Sequence, residues 1–127
     1  MSVQIGVKGK VEAMVNDTNT AKTVGSGSLD VLATPIMVAM MEEAAVKALV
    51  LPEDQTSVGI YLDVKHLAAT PLGMKVWAEA EVIEIDGRKL TYKVRAFDEK
   101  EKIGEGRHER FIVNSEKFMF RTVSKLD

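Results

Sequence analysis

The fold is decided by one stretch of sequence, residues 34–50, which reads TPIMVAMMEEAAVKALV. Its first two residues favour a helix N-terminus, with Thr34 as the N-cap and Pro35 as the first helical residue. The helix is predicted to run from Pro35 to about Val50 and to end before Pro52, a length of roughly 24 Å. Apolar residues lie almost all the way round it, which is typical of a buried helix.

The segments on either side of this helix alternate apolar and polar residues, which predicts β-strands. Asp86-Gly87 is a strong hairpin signal between two of these strands. A buried helix combined with antiparallel strands indicates the α+β class and the hotdog fold, an antiparallel sheet wrapped around one long central helix. We expect residues 1–127 to form a single domain of this kind. The predicted strands are 3–15, 58–66, 75–85, 90–96 and 102–113, with a long loop at 16–30 and a short helix at 115–123.

Composition excludes several classes of function. The formal net charge of −2 argues against a nucleic-acid partner, which usually requires a basic surface. There is no cysteine, which excludes thiolate nucleophiles and Cys-ligated metals, and two histidines leave little for a metal site. Neither a signal peptide nor a run of ~18 apolar residues is evident, so we expect a cytoplasmic protein without membrane contact.

Two adjacent carboxylates, Glu42 and Glu43, interrupt the apolar helix. Lys47 follows Glu43 by four residues, a favourable surface pair that places Glu43 on the solvent side. Glu42 then points toward the interior with Val38, Ala45, Val46 and Leu49. An ionised carboxylate is costly to bury, so a functional role is the preferred interpretation. The alternative is that Glu42 is partly exposed or caps a backbone group across a dimer.

His66 ends a strand on the parity of Val58, Ile60, Leu62 and Val64, and should therefore face the helix. A carboxylate and an imidazole facing one core form the usual acid–base unit, although a lone histidine is more often a core residue. Gly59 leaves a backbone N–H approachable, as an oxyanion donor needs, or it marks a bulge or a tight helix–sheet contact. Thr34 either caps the helix or presents its hydroxyl to a site.

Residues 104–110 read GEGRHER, with Gly104, Gly106, His108 and Arg110 on one parity. This pattern leaves open sheet surface beside one imidazole and one guanidinium. No helix follows, so the two glycines are not a dinucleotide-binding motif. The alternative is that these residues form the charged outer face of an edge strand.

Taken together, these motifs resemble the fluoroacetyl-CoA thioesterase family of hotdog proteins, from about Val31 to Phe118. Three parts of the chain carry the resemblance. The first is Ala33-Thr34 followed by helix residues 37–42, the second is residues 58–60 followed by residues 64–73, and the third is residues 103–110 followed by residues 116–118. It implies a catalytic group of Thr34, Glu42 and His66, with Gly59 N–H holding the thioester oxygen and Arg110 near the substrate.

The same resemblance implies an acyl-CoA substrate, CoA as part of that substrate with no separate cofactor or metal, and a homodimer or dimer of dimers with sites near the subunit interface. The chain departs from the family at residues 25–29, which read GSGSL where the specialist enzyme has aromatic residues that gate its acyl pocket. We therefore expect hydrolysis of a small acyl-CoA thioester, without the specialist's preference for fluoroacetyl-CoA.

Three other interpretations compete with a hydrolase. A non-catalytic acyl-CoA or small-ligand binding protein would keep the pocket and lack turnover. A hotdog dehydratase or hydratase would pair an Asp with its His, and no Asp stands in an obvious pair with His66. A purely structural module would leave Glu42 unexplained.

Overall fold

The computed structural model describes residues 3–127, which form one five-stranded antiparallel sheet with a long helix on it. The sheet order is β1-β3-β4-β5-β2. The α+β class and the hotdog arrangement predicted from the sequence are thereby confirmed. The elements are β1 Lys8–Met14, α1 Ala21–Val24, α2 Thr34–Lys47, β2 Gln55–His66, β3 Lys75–Asp86, β4 Lys89–Asp98, β5 Lys102–Asn114, α3 Ser115–Val123 and a final 3₁₀ turn Ser124–Leu126.

The core lies between α2 and the concave side of the sheet. Met37, Met41 and Ala44 of α2 are fully buried against apolar residues of β3, β4 and β5. At Gly9, β1 approaches the helix so closely that a Cβ would collide with the carbonyl oxygen of Ala44 and lie 2.7 Å from the backbone nitrogen of Ala48. A side chain at Gly9 would therefore push the strand off the helix.

Some element boundaries differ from those predicted. The N-cap of α2 is Ala33, and Thr34 is already helical, so the prediction that Thr34 caps the helix is wrong. β1 begins only at Lys8, because Gly6 turns the chain with a φ of 96°. Residues 3–7 of the predicted strand are therefore not part of β1. The predicted loop at 16–30 contains the short helix α1, capped by Thr20.

A bulge in β2 changes which side chains face the helix. The register with β5 shifts between Gly59 and Tyr61, so Ile60 lies in the bulge. Beyond it, Leu62 pairs with the buried His108, whereas Val58 pairs with the outward-facing Phe111. The prediction that Val58 and Ile60 share a face with Leu62 is therefore wrong. Gly59 and His66 are an odd number of residues apart, and the bulge is what brings both onto the helix side.

β2 and β1 are the two edges of the sheet, and β2 is the more apolar of them in the described chain. Ile60, Tyr61 and Leu62 are 50%, 48% and 38% exposed on this edge. An exposed apolar edge strand of twelve residues is a ready template for pairing with another strand.

Among the described helices, none combines the length and apolar content that spanning a bilayer requires.

Candidate active site

Thr34 and His66 form the first cluster of the candidate site. Thr34 is the first residue of α2 and His66 the last residue of β2, and Thr34 Oγ1 lies 2.7 Å from His66 Nδ1. The hydroxyl that was expected to cap the helix therefore holds the imidazole instead. His66 Nε2 is buried, and nothing within residues 3–127 hydrogen-bonds it. A buried polar atom without a partner points to a role with a ligand or a reacting group.

Burial lowers the pKa of His66, and the backbone at Ala68 partly opposes this effect. The imidazole is therefore neutral near pH 7, because its ordinary pKa is already close to 6.5. A neutral imidazole can accept a proton through one ring nitrogen while the other nitrogen, Nδ1, is hydrogen-bonded to the Thr34 hydroxyl. The pair thus has the arrangement of an oriented acid–base group.

A cavity of about 320 Å³ lies next to this pair. Its walls are mostly small or apolar, and the segment after Gly25 contributes Ser26 to them. Space of this size beside an imidazole suits a small ligand. The lining residues are Ala21, Ser26, Val31, Leu32, Thr34, His66, Leu67, Ala68 and Ala69.

Glu42 belongs to a second cluster, on the side of α2 that faces β2 and β5. Its Oε2 lies 3.6 Å from Nη1 of Arg110, whose side chain is only 8% exposed. The Glu42 side chain itself is 38% exposed, so it is half-buried rather than interior as predicted. Val46, expected inward with it, is 48% exposed. The predicted surface pair of Glu43 with Lys47 is confirmed, at 3.4 Å.

Gly59 lies directly opposite Glu42. A Cβ at this position would be 2.7 Å from Glu42 Oε2 and 3.3 Å from Arg110 Nη1. Gly59 is exposed, so its backbone can be reached from outside. The absence of a side chain here leaves room for the carboxylate and for a ligand beside it.

A hydrogen-bond network fixes the guanidinium of Arg110. Its Nε donates to Ser57 Oγ at 2.8 Å, its Nη2 donates to the Ser57 carbonyl oxygen at 2.9 Å, and its Nη1 lies 3.1 Å from His108 Nε2. A guanidinium can only donate, so His108 Nε2 accepts, and Nδ1 donates to the Tyr61 carbonyl at 2.8 Å. Burial lowers the pKa of His108, which favours this neutral form.

The position of the 104–110 motif within the sheet is thus more specific than its charge pattern indicated. β5 lies between β4 and β2, so the alternative of an outer face on an edge strand is wrong. His108 is fully buried and Arg110 nearly so. Sequence reasoning missed Ser57 and the Tyr61 carbonyl, because nothing in the sequence shows that β2 pairs with β5.

The two clusters stand apart within one chain. Thr34 and Glu42 are separated by eight helical residues, about 12 Å along the axis. Gly59 and His66 are seven residues apart on β2, roughly 20 Å. No hydrogen bond or ion pair of the described residues joins the Thr34–His66 pair to the Glu42–Arg110 pair. Nor do three His, Asp or Glu side chains of residues 3–127 gather as a metal ion requires.

The family model described as "FlK: Fluoroacetyl-CoA-specific thioesterase" matches residues 15–116. This chain belongs to the FlK family. The match includes every residue of both clusters, and it confirms the family suggested by the sequence motifs.

Individual relatives agree with the family match. The fluoroacetyl-CoA thioesterase of Streptantibioticus cattleyicolor is 42% identical over 91 residues, which are 70% of this chain and 66% of the relative's length. A structure of FlK superposes with a TM-score of 0.90 at 32% identity and 98% coverage of both chains. A mutant FlK structure in complex with fluoroacetate and CoA gives 0.85 at 33% identity, covering 91% of this chain and 99% of that one.

Proposed function

We propose that this FlK-family protein hydrolyses small acyl-CoA thioesters to the free acid and CoA. The observation that carries the proposal is the Thr34–His66 pair, with its unpartnered Nε2 beside a small cavity. The relative of known activity is a fluoroacetyl-CoA thioesterase, and the FlK structure with fluoroacetate and CoA contains the products of that reaction. A CoA thioester as substrate also fits a cytoplasmic enzyme.

In the proposed mechanism, Glu42 supplies the carboxylate. It either attacks the thioester carbon, giving a transient anhydride, or removes a proton from the attacking water. Arg110, fixed by Ser57 and His108, holds the Glu42 carboxylate in one orientation. Both routes require that carboxylate to be ionised, and neither needs a metal ion.

The remaining groups handle the proton and the developing charge. His66 transfers a proton to or from water or the leaving thiolate, and Thr34 orients the imidazole through the 2.7 Å contact. The backbone N–H of Gly59 donates to the oxygen that becomes negative as the carbonyl carbon turns tetrahedral. The cavity of about 320 Å³ holds the acyl group, and the small residues around it favour a short acyl chain.

The distance between the two clusters supports a dimer in which each site takes residues from both subunits. One protomer cannot place Gly59 and His66, roughly 20 Å apart, on a single thioester group. The free apolar edge of β2 offers the surface for pairing, and an isologous contact between two such edges would bury Ile60, Tyr61 and Leu62.

The register of such a dimer follows from the positions of the two clusters. If two β2 strands pair antiparallel around an axis near Leu62 and Asp63, with ladder bonds that end before Gly59 and leave its N–H free, Gly59 lies opposite His66 of the partner subunit. Glu42 and Gly59 of one protomer then meet Thr34 and His66 of the partner subunit. Each dimer would hold two such sites, related by the two-fold axis.

The first prediction is turnover of short acyl-CoA thioesters without added metal. Thiol release is measured across acetyl- to hexanoyl-CoA, with and without a chelator. Hydrolysis of at least one substrate, unaffected by the chelator, is expected. Binding of these thioesters without any thiol release would support the non-catalytic binding protein instead, and activity lost with the chelator would contradict the metal-free mechanism.

The second prediction concerns the shared site and uses subunit mixing. Glu42→Gln and His66→Ala homodimers are each expected to be almost inactive. After the two variants exchange subunits at a 1:1 ratio, half of the dimers are mixed, and each mixed dimer has one intact site out of two. Activity should therefore rise to about a quarter of the unmodified value.

This recovery has a clear contrary outcome. If Glu42 and His66 acted within one protomer, no mixed dimer would contain an intact site, and activity would stay at the level of the homodimers. Mixing Glu42→Gln with Glu42→Asp subunits is the matched negative control, because both changes affect the same residue and exchange should give no activity above the average of the two homodimers. Size measurement of the unmodified protein must show a dimer or a multiple of one.

A further inference from the structure

We propose that a groove between α3 and the end of β5 binds the nucleotide end of the CoA thioester. The inference rests on the proposed function and adds a second part to the substrate site. The groove has a volume of about 700 Å³, more than twice that of the cavity beside His66. It lies outside both clusters that carry the chemistry.

Charge is the first observation that points to a phosphorylated ligand. Arg88, Lys117 and Arg121 line the groove, and Glu116 is the one carboxylate among its lining residues. None of the three cations forms an ion pair within the described chain, although six such pairs are present elsewhere in it. The groove thus has a local charge of +2 in a chain whose net charge is −2. The 3′-phosphorylated ADP of CoA carries several negative charges that complement it.

Exposed aromatic rings are the second observation. Phe111 and Phe118 are each 39% exposed, and Phe120 is 79% exposed. All three line the same groove as the cations. A purine base stacks on aromatic side chains while neighbouring Arg and Lys bind its phosphates, so this combination suits a nucleotide better than a purely apolar partner.

The position of the groove fits the length of the substrate. Phe111 pairs with Val58, next to the Gly59–Arg110 pair. From Gly59 to the end of the pairing at Gln55 and Asn114 is four residues, about 13 Å. The extended pantetheine arm of CoA spans a distance of this order. A thioester carbonyl at Gly59 would therefore leave the nucleotide within reach of α3 of the same protomer.

The test compares a short acyl-CoA with the matching acyl-pantetheine, which has the same thioester and lacks the nucleotide. In a Lys117→Ala/Arg121→Ala variant, the KM for acyl-CoA should rise at least about tenfold with little change in kcat, as expected for the loss of charge-assisted hydrogen bonds. The KM for acyl-pantetheine should not change. Lys125→Ala removes an exposed cation of the same region that does not line the groove, and should change neither value.

Other outcomes separate the alternatives. An equal rise in KM for both substrates, or no rise, would overturn the nucleotide site. A Phe120→Ser variant with unchanged KM and a smaller assembly would instead show that a second copy of the chain covers this face. If the unmodified protein hydrolyses neither thioester, the proposed function fails, and calorimetry with CoA alone then tests the groove. CoA binding that the double substitution weakens tenfold would support the nucleotide site. Equal binding by both proteins, or no binding, would overturn it.

Discussion

Replacing Glu42 by Gln should lower kcat by roughly a hundredfold or more, whereas Glu43→Gln should leave activity near the unmodified level. The first estimate is on the scale of losing a catalytic carboxylate. The two residues are neighbours of the same type on one helix, so each is the matched control for the other. The measurements are kcat, KM and melting temperature for both variants side by side.

The physical reason is the difference in surroundings. Glu42 lies 3.6 Å from the buried Arg110 and faces Gly59, where a substrate can reach it. Glu43 points to solvent and forms an ion pair with Lys47, with both side chains more than half exposed. Its replacement should forfeit roughly 0.3–0.5 kcal/mol of stability, the usual contribution of a surface pair.

Stability should respond differently at Glu42. Its amide variant keeps the shape of the side chain but leaves Arg110 without the facing negative charge. Arg110 retains its bonds to Ser57 and His108, and Glu42 is half-exposed, so a loss of about 1 kcal/mol is expected rather than the larger cost of a fully buried unpaired charge. An inactive Glu43→Gln beside an active Glu42→Gln would contradict both the helical phase and the role given to Glu42.

The helix and the strands could be predicted because their signals are local. The apolar stretch with Pro35 at its start locates α2 to within three residues at its end, and the alternation after it locates β2 to β5. The N-cap was misassigned because capping depends on where a hydroxyl finds its best partner. For Thr34 that partner is His66, 32 residues away.

The candidate residues could be named from the sequence, but their grouping could not. Gly59 and Ser57 meet Arg110 because β2 crosses to the far edge of the sheet and pairs with β5, a pairing without a local signal. The bulge at Ile60 reverses the parity that simple alternation assigns to Val58. Strict alternation would place Gly59 and His66 on opposite faces of the sheet. Because of the bulge, Gly59 lies beside Glu42 while His66 still contacts Thr34.

Gly59→Ala should lower kcat at least about tenfold while changing the melting temperature by only a few degrees. The added Cβ would lie 2.7 Å from Glu42 Oε2, which is closer than side-chain carbons approach other atoms. Because that oxygen is the far end of a flexible side chain, the carboxylate can move away at little cost to the fold. The same movement takes it off the position where it must meet the substrate.

Gly9→Ala is the contrasting substitution and should show the reverse pattern. Its Cβ would collide with the backbone of Ala44 in α2 and of Ala48 at the end of that helix, which cannot move without shifting the helix. Overpacking of this kind should cost about 2–3 kcal/mol and lower Tm by roughly 10 °C. Well below that temperature, kcat should stay near the unmodified value, because Gly9 lies on β1, away from both clusters.

The two variants therefore separate an effect of the carboxylate position on kcat from an effect on the stability of the fold. If Gly59→Ala retained full kcat, then Glu42 would either act from more than one position or have no part in the reaction. If Gly59→Ala lowers kcat as expected, adding Glu42→Asp identifies the cause, because the shorter side chain withdraws from the new Cβ. Partial recovery of kcat in the double variant would show that a displaced carboxylate caused the loss, and an unchanged low kcat would place the effect in the backbone N–H of Gly59 itself.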